Sequence, residues 1–382
     1  MQALATPTAA GTRLRIQTVT SEAGLAALAD GWDELVRAMP RPSPFMLHAW
    51  LLEWWRHYGG GADLAVHVAY RGDRLVGALP LYTRRRLGLR VTELVGGTWA
   101  PLGDVLVAPG EDAATAAALV EQAESSGDDF ANLFGLTEAS RLVAALPPGA
   151  LRMIERLEAP VMDLDGPWDE VYRGRFSAKQ RSERRRRLRK LSDAGPVEVL
   201  VAHTPGQLGP ALEDAYRVHR ARWEGRRDMS GFATPTGLRF HRAAVLALAE
   251  LDVPRITVVR CGGRPIAFAF ALHFKRATYG VAMAFDPAYA QFGPGLEAKL
   301  TSLEAAAAEG ITRVELLGTD APHKRPLTDR FEPVYQGIGL ARTLRGQAAS
   351  EGLLAAIHAR RRLKHSQVAR RLYDRVPRFG RA

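Results

Sequence analysis

Between Ala284 and Gly310 the chain reads AFDPAYAQFGPGLEAKLTSLEAAAAEG, and the chemistry this stretch offers is anion binding. Gln291, Gly293, Pro294 and Gly295 form a turn; Leu296, Leu300, Leu303 and Ala307 then recur at helical spacing until Gly310 ends the run. The first N–H groups of a helix have no acceptor within it, and glycines let a phosphorylated ligand approach the backbone. Two glycines beside a proline also make an ordinary tight turn, so the neighbours decide. Ile311 to Gly318 reads as a short apolar strand, which puts the turn in a strand–helix–strand unit, where ligands collect at strand ends. Glu297 in the first helical turn opposes an anion, and Lys299 offsets it in part.

The elements that must hold this turn are duplicated. HVAYRGDRLVGALPLY (His67 to Tyr82) matches TVVRCGGRPIAFAFALH (Thr257 to His273), each a strand, a tight turn and a second strand. Helical segments precede both hairpins: Glu22 to Met39 and Ser43 to Tyr58 in the first copy, Gln207 to Arg226 and Thr236 to Leu251 in the second. After each comes a strand, a helix and a strand. The first copy runs through Val91 to Val107, a helix near Asp112 to Ser126, and Phe130 to Leu136; the second runs through Ala277 to Phe285, helix 296–309 and Ile311 to Gly318. Two copies of one α/β fold account for this order. At the turn the first copy has Pro109-Gly110-Glu111-Asp112, whose acids occupy the place a phosphate would take, so the second copy is the one expected to bind a diphosphate.

A chain of 382 residues with 47% hydrophobic content supports two domains. Cys261 is the only cysteine, which excludes an intramolecular disulfide and a cysteine-based zinc site; nothing resembles a metal site, a nucleophile elbow or a P-loop. The first residues lack the apolar core of a signal peptide, and no stretch approaches the roughly 18 apolar residues of a span, so a cytoplasmic protein is expected. The net charge of +11 comes from two segments: Arg173 to Lys190 has ten Lys/Arg against one Glu, and His358 to Ala382 has nine against one Asp. Such blocks are solvated faces, or they meet nucleic acid, anionic lipid or phosphorylated substrates.

The order of elements, and AYAQFGPGLEAKL in particular, resembles the GNAT acyltransferase superfamily, whose motif at this junction is Gln/Arg-x-x-Gly-x-Gly/Ala. More closely, the chain resembles the tandem-GNAT group called CelD-like (cellulose biosynthesis protein CelD type), related to the FemABX peptidyltransferases. The markers are Ser43 to Trp55 (SPFMLHAWLLEWW), the basic segment SAKQRSERRRRLRKL, HRARWEG (His219 to Gly225), GPGLEAKLTSLEAAAAEG, and GTDAPHKRPL (Gly318 to Leu327). The spacing Gln291-x-Gly293-x-Gly295 is one residue tighter than the superfamily motif, and His323-Lys324 stands where the relatives carry Tyr-Lys.

The resemblance implies a tandem duplication of a GNAT-like fold, with a mixed central sheet flanked by helices in each copy. Residues 1–165 would be a cofactor-free N-terminal domain, 166–345 a C-terminal domain with the CoA-binding turn preceded by a basic helix at 173–192, and 346–382 a basic helical tail. It also implies acyl transfer from acyl-CoA, most simply acetyl-CoA, to an amine, with no metal. The pyrophosphate would rest on the N–H groups of Phe292, Gly293, Gly295, Leu296 and Glu297, beside Gln291. The pantetheine would run along the strand ending in Met283, Ala284 and Phe285, whose N–H groups would face the oxyanion. Asp320 and His323 are the expected bases, Tyr289 the expected acid for the thiolate, and Trp223, Glu224, Lys324 and Lys179 the expected acceptor contacts. Trp50, Trp54 and Trp55 are expected in the core of the first copy.

Three function classes follow. One is an acyl-CoA-dependent N-acyltransferase acting on a small-molecule, amino-sugar, polysaccharide or other envelope-related amine. A second is a FemABX-like aminoacyl-tRNA-dependent transferase, in which the arginine blocks bind tRNA. The third is a non-catalytic protein whose basic tail holds an anionic membrane surface.

Overall fold

The computed structural model describes residues 13–111, 113–224 and 230–365. Its first half runs β1 (Leu14–Val19), α1 (Glu22–Ala26), α2 (Ala29–Arg37), α3 (His48–Tyr58), β2 (Ala62–Arg71), β3 (Arg74–Arg86), β4 (Leu89–Leu94) and β5 (Leu106–Val107). It continues with α4 (Ala113–Glu124), β6 (Phe130–Leu136), α5 (Arg141–Ala145) and β7 (Leu151–Asp163). Two basic helices follow, α6 (Trp168–Arg175) and α7 (Ala178–Asp193). The second half runs β8 (Val197–Ala202), α8 (Pro205–Trp223), α9 (Pro235–Ala249), β9 (Pro254–Cys261), β10 (Arg264–Phe274) and β11 (Ala277–Phe285). It ends with α10 (Pro294–Ala308), β12 (Arg313–Glu315), β13 (Arg330–Gly339) and α11 (Leu344–His365).

The duplication holds in detail. Both hairpins carry a bulge at the same place: Val76 in β3 and Ile266 in β10 are each skipped in the pairing, 190 residues apart. Where one basic helix was expected over 173–192, there are two. Phe176 is buried in an extended conformation, and the Ser177 side chain with that of Gln180 forms a capping box that starts a new helix. Asp112, Gly225 and Arg226, and residues 366–382 of the expected tail, lie outside the described residues.

The strands form one mixed sheet in the order β1-β2-β3-β4-β6-β13-β7-β12-β11-β10-β9-β8, with β5 added against β3. Each half completes the other. β13, from the second half, lies between β6 and β7; β7, from the first, lies between β13 and β12. The sheet therefore runs unbroken across 165/166, the boundary expected between two domains.

Helices also join the halves. Trp50 on α3 is 1% exposed and stands edge-on to Phe240 of α9, ring centroids 5.0 Å apart. Trp54 is likewise buried, while Trp55 packs half-buried against the same core. Arg41 makes a two-pronged bond to the fully buried carboxylate of Glu315 on β12, at 3.0 and 2.6 Å, and the Tyr279 hydroxyl on β11 donates to the Pro42 carbonyl.

Candidate functional site

β11 and β12 run parallel only from Ala277/Arg313 to Tyr279/Glu315. Beyond Gly280 they part, leaving β11 paired on one side alone, and Val281 is skipped in the β10–β11 register as a bulge. Backbone groups along that free edge face the gap instead of a neighbouring strand. The gap is a cavity of about 670 Å³, lined by Gly280 to Phe285, by Gly293, Gly295, Leu296 and Lys299 at the start of α10, and by the loop after β12. The first half contributes Phe45, Trp99, Pro101 and Phe134 to its wall.

The corresponding strands of the first half, β4 and β6, also pair for only two residues. There the chain fills its own gap: Gly103 N–H donates to the Gly135 carbonyl at 3.0 Å, and a Cβ on Gly135 would stand 2.9 Å from the Ala100 oxygen. Its turn is closed as well, since Glu111 accepts from Arg71 at 2.9 Å.

At the start of α10, Gly293 takes a left-handed conformation (φ 67°), ending the 3-10 turn Pro287–Phe292 and beginning the helix, a geometry that favours glycine. Gly293 N–H donates to Ala290 O at 3.1 Å, and Leu296 and Glu297 N–H both turn to Gly293 O, at 3.1 and 3.4 Å. Three of the five amides expected to cradle a diphosphate thus already have backbone acceptors, and Phe292 lies inside the preceding turn. Gly295 N–H, at the second helical position, has no acceptor among the described residues. A Cβ on Gly295 would stand 3.0 Å from the Phe285 ring, so a larger residue here would push that ring aside.

Glu297, 8% exposed, is less hostile to an anion than its position suggests. Arg184 of α7 grips its carboxylate at 2.7 and 2.8 Å while lying over the Tyr172 ring. A second arginine of α7, Arg187, reaches to 3.5 Å from where a Cβ of Gly293 would stand, while its Nε is held by Glu183 at 2.9 Å, so the basic helix brings a partly paired guanidinium to the amide end of α10.

The expected site residues separate into two groups. Met283, Ala284, Phe285, Gly293, Gly295, Leu296, Trp223, His323 and Lys324 line the cavity. Asp320, Tyr289, Gln291, Phe292, Glu297, Glu224 and Lys179 do not. Asp320 is exposed and held by Arg325 at 2.9 Å, which keeps its carboxyl below the usual range and makes it a poor base. Tyr289 packs beside Phe292 against Leu191 and Ala298, outside the cavity. Lys179, Gln291 and Glu224 are exposed.

Lys299, whose place in the sequence marks it only as a partial offset to Glu297, lines the cavity together with His323. Burial, and then the charge of Lys324, lowers its pKa to about 8. His323, at the rim, is pushed below its ordinary value by partial burial and by both lysines. Arg222 lies over the Phe285 ring at 4.9 Å, at the end of β11. Among the described residues no group of His, Cys, Asp and Glu could hold a metal ion, and no helix is long and apolar enough to cross a membrane.

Residues 178–325, which contain α7, the turn and the cavity's second-half wall, match the acetyltransferase (GNAT) domain family. No curated protein matches the chain. Among solved structures it is similar to FemX (TM-score 0.57, 13% identity, covering 84% of this chain and 96% of that one). It is also similar to a conserved protein of unknown function from Bacteroides thetaiotaomicron (TM-score 0.50, 14% identity, 85% and 99% covered). A tandem GNAT protein from the clavulanic acid biosynthesis pathway aligns with a TM-score of 0.44 at 15% identity, covering 87% of this chain and all of that one.

Proposed function

We propose that this protein is an N-acyltransferase that moves an acyl group from acyl-CoA, most simply acetyl-CoA, to an amine of a small-molecule or saccharide acceptor. The observation that carries the reading is the open gap between β11 and β12, with the Gly295 amide at its mouth, inside the segment that matches the GNAT domain family. The same gap in the first half is filled by its own chain, which supports a single site in the second half. The CelD-like affiliation rests on the sequence markers given above. A cytoplasmic setting suits the acyl-CoA donor and the single, buried cysteine.

In this reading the diphosphate meets Gly295 N–H and the guanidinium of Arg187. The free edge of β11 lines the acyl group, and His323, neutral near pH 7, takes the proton of the attacking amine. Positioning the amine against the thioester supplies most of the rate, so no side-chain nucleophile is needed.

A FemX-like use of aminoacyl-tRNA is the second reading. It is supported by the likeness to FemX in fold and by Lys179, Arg185, Arg189 and Lys190, which form an exposed basic face on α7. Melting of the full-length protein with CoA and with tRNA distinguishes the two. A ligand present at 100 times its dissociation constant adds about 2.7 kcal/mol. CoA is expected to raise the Tm of the wild type and to leave Gly295→Glu unmoved. A shift with tRNA that fades with added salt, and none with CoA, would replace the first reading by the second.

A further inference from the structure

The cavity is charged on one side only. Arg222, Lys299, His323 and Lys324 line it, and among the described residues no Asp or Glu does. Three carboxylates close to the lining segments are committed elsewhere: Glu297 to Arg184, Glu315 to Arg41 and Arg313, and Asp320 to Arg325. The Lys324 ammonium donates to Leu317 O at 2.5 Å and to Thr319 O at 3.2 Å. Lys299 has no hydrogen-bond or ion-pair partner among the described residues. Its Nζ stands 3.6 Å from where Gly280 would carry a Cβ, at the point where β11 and β12 part.

A charged ammonium on the cavity wall beside Gly280, with no hydrogen-bond or ion-pair partner of its own, gives up part of its hydration without a direct replacement. An acid group on a ligand would supply one.

We propose that the acceptor amine belongs to a molecule that also carries an acid group, a carboxylate or a phosphate, and that Lys299, supported by Lys324, holds that group on the cavity floor. The inference rests on the transferase reading and narrows it: amines without an acid group would be poor acceptors because they leave the Lys299 charge uncompensated. In this arrangement Lys299 positions the acceptor, while the amine itself faces the free edge of β11 and His323.

The test is site-resolved protection of the full-length protein. Reductive methylation of lysines is followed by mass spectrometry at Lys299 and Lys324, with exposed Lys179 and Lys190 as internal references. The probes are N-acetylglycine, methyl phosphate and the uncharged N-acetylglycinamide. At saturation one or both acids are expected to slow methylation of Lys299 about tenfold relative to the references, while the amide leaves it unchanged. The more protective acid identifies the group as carboxylate or phosphate. Equal methylation with all three probes would overturn the proposal.

Calorimetry supplies a second measurement. Lys299→Met is expected to weaken the protecting acid about tenfold while Lys299→Arg retains it, and undiminished binding to Lys299→Met would equally overturn the proposal. Melting with CoA on the same sample keeps the two ideas apart. Protection without a CoA shift removes the acyl-CoA reading and leaves the acid site standing; a CoA shift without protection does the reverse.

Discussion

Asp320 and His323 sit three residues apart in one loop, yet their protons are under opposite control. Arg325 holds the Asp320 carboxyl low and at the surface, whereas burial and two neighbouring lysines push His323 down, so that its neutral, proton-accepting form prevails at neutral pH. The rate should therefore rise as pH passes upward through the lowered His323 value and fall on the acid side, below about 6.5. His323→Gln is expected to lower kcat/KM about a hundredfold and flatten that acid limb, with Asp320→Asn changing it about twofold at most. Equal losses in the two variants would disprove the assignment of the base. Both residues were legible as polar groups in a loop following a strand; which of them faces the cavity was not. Lys299 was less legible still. Its spacing from Gly295 and Ser302 places all three on one helix face, but that face becomes a cavity wall only because β11 and β12, two other elements, part after Tyr279/Glu315.

At the scale of elements, the pairing of α7 with α10 decides whether an anion is tolerated. Read along the chain, Glu297 repels a phosphate and the arginine block has no fixed purpose. In the fold, α7 spends Arg184 on neutralising Glu297 and presents Arg187 beside Gly293. Arg184→Met should thus leave a carboxylate, 8% exposed, unpaired beside the helix amides. Removing one partner of such a pair costs on the order of 3 kcal/mol of stability, and CoA affinity is expected to fall about tenfold. Adding Glu297→Gln to Arg184→Met should recover most of both losses, as read by denaturant unfolding and calorimetry. If Arg184→Met binds CoA as tightly as the wild type, α7 has no part in the site. Local signals carried far here, since the turn at Gly293 and the Ser177-Gln180 capping box are set by neighbouring residues. The ion pair spans more than a hundred residues of chain and leaves no local pattern.

For the molecule as a whole, duplication was readable because hairpins are local and repeat at a fixed offset, down to the paired bulges at Val76 and Ile266. The exchange of β7 and β13 between the halves was not, because strand partners far apart in sequence share no periodicity that reveals them. That exchange makes the site depend on the half that lacks one. β7 holds β12 by antiparallel pairing at Arg313/Asp163 through Glu315/Val161, and β12 leads into Leu316 to Gly318, which line the gap from which β11 departs. Arg41, also from the first half, joins Arg313 in pairing the buried Glu315 at the end of β12. A fragment of residues 166–382 would leave β12 and β13 without β7, exposing strand edges, and would leave the buried Glu315 with Arg313 alone in place of Arg41 and Arg313 together. Such a fragment is expected to show no cooperative melting and no response to CoA. Producing residues 1–165 and 166–382 together as separate chains should restore both, because the exchanged strands supply each other's hydrogen bonds. A cooperative, CoA-responsive 166–382 fragment on its own would mean that the second half closes its sheet without the exchange.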